Sequence, residues 1–194
     1  MGIMRSLYRE LRETLGLKAP AENATQLAER ICGELKSEIG GKKQQQDQDW
    51  MLESKFEGRD VKILFDAAGL TAVIEVGSSL EGGPLFVLVS EQSAREKPRG
   101  TERKPVASGV FAEGRPNDVS LMMDLWKALP TGARGNLTSL VGKYKGTVRY
   151  EDGAVRIEPE TSLLEGPSAK YNVKSLLQTM TNLTGEMEKA WSNL

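Results

Sequence analysis

The residue types that carry most enzyme chemistry are sparse in this chain. Among its 194 residues there is no histidine and one cysteine. That removes the commonest general base, the Ser-His and Cys-His nucleophile pairs, and the imidazole ligands of most zinc and copper sites. Cys32 follows Ile31 in a helix-periodic run, which marks a packed thiol more than a reactive one. One cysteine cannot form a disulfide within these residues and fits a reducing compartment.

Phosphate-binding patterns fail on spacing. The run GNLTSLVGKY, residues 135–144, puts six residues between Gly135 and Gly142, where a P-loop needs about four, and sets Tyr144 where a magnesium-holding hydroxyl must stand. Gly82 and Gly83 precede a strand pattern and read as a turn, because helix N-termini collect phosphate charge and strand starts do not. Asp66 and Glu75 could converge in a cleft for carboxylate-dependent chemistry, although solvent-facing strand positions explain them more simply. No cofactor or metal is expected, and an enzyme is the least supported class.

Two groups of residues suggest binding. Between 93 and 105, Arg95, Lys97, Arg99, Arg103 and Lys104 outnumber Glu96 and Glu102. Arg95, Arg99 and Arg103 are therefore candidate contacts for an acidic partner, although a solvated loop accounts for them too. The stretch carries no aromatic residue for base stacking, and 26 basic against 27 acidic residues over the whole chain argue against nucleic acid. The second group is Trp126, Met180, Met187 and Trp191, which could offer an adaptable interface or simply pack a core. The Met-Gly start with Ser6 matches a short myristoylation pattern that anchors only marginally on its own. Asn23, Asn136 and Asn182 head N-x-T matches that matter only in a secretory compartment.

Hydrophobic spacing indicates the elements that must position these residues. Ile3, Leu7, Leu11 and Leu15 form one helical stripe, and Ala24, Leu27, Ile31, Leu35 and Ile39 form another, opened by an Asn23/Gln26 capping box and closed by Gly40-Gly41. The polar run 42–49 reads as an aperiodic connection. Period-two segments follow at 50–56, 60–66 and 70–76, then at 84–91 and 106–114, with an exposed loop between the last two. Helices are expected from 117 or 118 to 129, from 131 to 144, and over about 169–192. Between them Asp152-Gly153 specifies a tight hairpin with Val148, Tyr150, Val155 and Ile157 on one face.

The expected fold is thus α+β: an antiparallel sheet of about five meander strands plus a C-terminal hairpin, flanked by N-terminal, central and C-terminal amphipathic helices. We read residues 1–194 as one domain, with a helical segment 1–41 joined by 42–49 to a body 50–194. This order loosely resembles small α+β secretion chaperones and related adaptor folds, though strands 84–91 and 106–112 depart from their pattern. No motif residue supports the resemblance, and no family follows from it.

With 39% hydrophobic and 27% charged residues the composition is that of a folded globular protein. No apolar run approaches the roughly 18 residues of a membrane span, and the N-terminus lacks a signal-peptide pattern, so a cytoplasmic protein is expected. The sequence favours a non-enzymatic interaction module that binds a protein partner or itself. The alternative is a small-molecule or lipid binder lined by Phe65, Val73, Phe86, Val110 and Phe111 on a concave sheet face.

Overall fold

In the computed structural model, residues 23–80, 83, 85–91, 99–151 and 153–194 are described, with Phe86 by its backbone. The Ile3 to Leu15 stripe, the Met-Gly pattern and Arg95 lie outside these residues. The first described element shows how local chemistry sets a boundary. Asn23 accepts from the Gln26 amide at 2.8 Å while the Gln26 side chain accepts from Asn23 N–H at 3.2 Å. This reciprocal cap satisfies two orphan donors and starts α1 (Ala24–Ile39). Gly40 ends the helix at φ +75°, and Gly41 follows at φ +98°, conformations that cost glycine little. A Cβ on Gly41 would also stand 2.2 Å from the Glu53 carbonyl.

Nine strands then form one antiparallel sheet: β1 (Lys42–Gln46), β2 (Asp49–Phe56), β3 (Arg59–Asp66), β4 (Thr71–Gly77), β5 (Phe86–Ser90), β6 (Glu102–Ala107), β7 (Val110–Gly114), β8 (Thr147–Glu151) and β9 (Ala154–Glu158). Their spatial order is β1-β2-β3-β4-β9-β8-β5-β7-β6. Helices α2 (Pro116–Ala128), α3 (Thr131–Tyr144) and α4 (Ala169–Trp191) complete the described chain. The α+β expectation therefore holds.

Two local readings change. The polar run at 42–46 is not a connection but an edge strand: Lys42 to Gln46 pair with Glu53 to Asp49, and Asp47 takes φ +54° in the two-residue turn. Glutamines alternate as readily as apolar residues once a neighbour supplies the hydrogen bonds. The stretch 106–114 is likewise not one strand. Ala107 faces Val110 across Ser108-Gly109, with Gly109 at φ +70°, and β6 extends back into the basic stretch as far as Glu102.

The four described helices pack in one layer. Helix α4 contacts α1, α2 and α3 and lies on β4 and β9, while α1 covers β1 to β3 and α2 covers β6 and β7. Beneath them the inward strand positions Leu52, Ile63, Ile74, Val148 and Ile157 are fully buried. The far end of α4 is held by a polar clamp. Glu188 receives both Arg59 guanidinium nitrogens at 2.7 and 2.5 Å, together with Ser79 N–H at 2.7 Å and the Ser78 hydroxyl at 3.2 Å. The Arg59 bonds hold the Glu188 carboxyl down at about 2.

Candidate functional site: the open face of the sheet

Because side chains alternate across a strand, the positions between the buried ones project from the second face, on which no described helix packs. Register carries one row of these positions across the whole sheet. Lys42 faces Glu53, then Lys62, then Glu75, then Arg156. The row continues through Arg149, Val87 and Glu113 to Arg103. Opposite charges in neighbouring strands stabilise such a row modestly. Its sign alternation breaks at Arg156 and Arg149, which stand directly opposite one another.

Beside this row runs a second, more apolar one. Met51, Leu64 and Val73 are paired neighbours on one flank, and Val89, Phe111 and Pro105 on the other. Met51 and Val89 are buried, while Leu64, Val73 and Phe111 are half-buried. Gln46, Met51, Lys62, Leu64, Val73 and Arg156 border a shallow depression of about 110 Å³. Glu53, Asp60, Lys62 and Glu75 border a neighbouring one of about 350 Å³.

The central arginines are incompletely satisfied. Arg149 donates one hydrogen bond to Glu158 at 3.1 Å. Arg156 Nε lies 2.9 Å from Glu158 Oε1 without hydrogen-bond geometry, and its Nη1 is 4.0 Å from Glu75. The Nε atoms of both arginines are shut off from solvent and unpartnered, as are Arg134 Nε and Trp50 Nε1. The Trp50 ring nevertheless takes the Lys43 ammonium over its face at 4.0 Å.

The residues singled out by sequence are dispersed. Trp126, Met180 and Met187 are buried in the helix-side core, Trp126 keeping 6% of its surface exposed and the two methionines none. Trp191 is half-buried and borders an open groove of about 690 Å³ with Leu121, Asp124, Lys127, Ala128 and Leu194. Arg103 pairs with Glu113 directly across β6 and β7, its Nε 2.7 Å from the carboxylate, whereas Arg99 is exposed in a turn. The pocket set separates by strand parity. Phe65 and Val110 point into the helix-covered core, Val73 and Phe111 lie on the open face, and the Phe86 side chain lies outside the described residues. No single concavity can gather them.

Cys32 is buried on α1, and desolvation pushes its thiol up to about 11. Asp66 binds its own turn, accepting from Gly69 N–H at 3.0 Å. Among the described residues no three His, Cys, Asp or Glu side chains converge as a metal site, and no helix is long and apolar enough to cross a membrane. The charge row was missed at the sequence level because its charged members come from eight strands, and only register makes them neighbours.

No family model matches the chain, and no curated protein does. In three dimensions it is similar to the crystal structure of the mycobacterial trehalose monomycolate transport factor A, TtfA. The TM-score is 0.52 at 12% identity, over 81% of this chain and 93% of that one, a likeness that extends to the fold.

Proposed function

We propose that the chain is a non-enzymatic binding module that docks a protein partner on the open face of its sheet. One observation carries this reading: four helices cover one side of a nine-stranded sheet, and no described helix covers the other. That side offers half-buried apolar residues beside a row of charges, the mixture found where partners dock reversibly. A chain without histidine suits an adaptor or chaperone-like role better than catalysis. The lone buried cysteine fits the cytoplasm.

A second reading is a lipid or small-molecule binder. TtfA is named as a trehalose monomycolate transport factor, and the shallow depressions beside Leu64 and Val73 are where an acyl chain or small ligand would rest.

Purification of the tagged protein from its native cells, with mass spectrometry of everything retained, tests both. We expect a stoichiometric protein that Leu64→Lys reduces at least tenfold while Trp191→Ala leaves it unchanged, both variants melting near the wild type. The opposite pattern moves the surface to the Trp191 groove. A retained small molecule without a protein favours the second reading.

A further inference from the structure

We infer that Arg149 and Arg156 form a subsite for one side-chain carboxylate of a protein partner, an assignment that rests on the open-face reading. Like charges directly opposite on adjacent strands, about 5 Å apart at Cβ, destabilise a sheet. The arrangement therefore calls for a counter-charge. The resident carboxylates supply one only in part. Glu158 is shared: it accepts one hydrogen bond from Arg149 at 3.1 Å and one from the Thr147 hydroxyl at 3.4 Å and lies 2.9 Å from Arg156 Nε without hydrogen-bond geometry, while Glu75 stands off at 4.0 Å. Both arginines remain 34% exposed at the side chain, so the outer edges of the two forks are open to an incoming group.

The surrounding charges select the source. Guanidinium forks match the planar, two-oxygen geometry of a carboxylate. A uniformly anionic membrane would press against Glu75, Glu158 and Glu113 as well as the arginines. An acidic side chain flanked by basic ones meets the whole row with opposite sign. The partner surface is thus one on which an aspartate or glutamate lies between lysines or arginines.

The test uses two peptides, acetyl-Lys-Asp-Lys-amide and acetyl-Lys-Asn-Lys-amide, titrated while the arginine Nε–H resonances are followed by NMR. We expect the Asp peptide to shift the Arg149 and Arg156 signals with a Kd at least threefold below that of the Asn peptide, and Arg149→Gln or Arg156→Gln to erase the difference. Equal affinities, or discrimination that survives both substitutions, overturn the subsite. So does binding to phosphatidylglycerol vesicles, abolished by Arg156→Gln, when the peptides do not differ. The Leu64→Lys purification separates the two claims: loss of the retained protein with equal peptide affinities refutes the subsite alone, whereas unchanged retention removes the open-face reading and the subsite with it.

Discussion

Arg59 at the start of β3 and Glu188 in the last turn of α4 close a two-pronged ion pair at 2.7 and 2.5 Å across 129 residues of sequence. The pair sits where the longest helix meets the end of the sheet, and Ser78 and Ser79 complete the carboxylate's shell. Removing one partner leaves the other charge partly desolvated. Glu188→Gln should therefore cost about 2 kcal/mol and lower Tm by roughly 4–8 °C, read by thermal unfolding at neutral pH.

The same clamp gives an acid limb to stability. The Glu188 carboxyl titrates at about 2 when folded, against an ordinary 4.5. A depressed carboxylate contributes stability that is complete above 4.5 and is lost as pH falls towards 2. Urea unfolding at pH 7 and pH 3 should show a smaller difference for Glu188→Gln than for the wild type.

Glu38 offers a contrast at the surface. Lys170 and Lys174 reach it at 2.7 and 2.6 Å, and those bonds bring its carboxyl down to about 2. Salt screens exposed charges more than partly buried ones. Carboxyl carbon titrations in 1 M NaCl should thus raise the Glu38 midpoint clearly and that of Glu188 little.

Cys32 should be silent in the folded protein. Buried on α1, with its thiol raised to about 11, it presents almost no thiolate at pH 8. A disulfide-exchange reagent should label it only after denaturant unfolds the chain, and labelling within seconds of mixing would contradict the packing of α1 on β2.

Ile157 is fully buried at the centre of the sheet, facing Ile74 on one side and Val148 on the other. Ile157→Ala should cost about 3–4 kcal/mol. Val87→Ala, on the open face, should stay within about 1 kcal/mol. Chemical denaturation of the two variants checks the assignment of faces directly.

How much of this was legible depended on whether the information was local. Asn23 with Gln26 announces the start of α1, and Pro130 the break between α2 and α3, because caps and breakers act within a few residues. Gly153 takes φ +73°, as the Asp-Gly pair implied for the hairpin of β8 and β9. Met180 and Met187 were ambiguous because helical spacing reveals that a stripe exists but not what covers it. The glutamines of β1 carry no pattern of their own and become a strand only by pairing with Trp50 and Met51. The meetings of Arg149 with Arg156 and of Lys62 with Glu75 follow from the register of consecutive antiparallel strands, but that of Glu75 with Arg156 needs the sheet order.

That order has a consequence for synthesis. Strands β1 to β4 and strands β5 to β7 are bridged in the sheet only by the hairpin of β8 and β9, which pairs with β4 on one side and β5 on the other. A nascent chain therefore leaves the ribosome with β4 unpaired along one edge until Ala154 emerges, on the order of 4–15 s later at about 5–20 residues per second. During that wait the naked edge is a template for any passing strand. A translational pause between Gly77 and Ala154 would lengthen the exposure and favour clumping over folding.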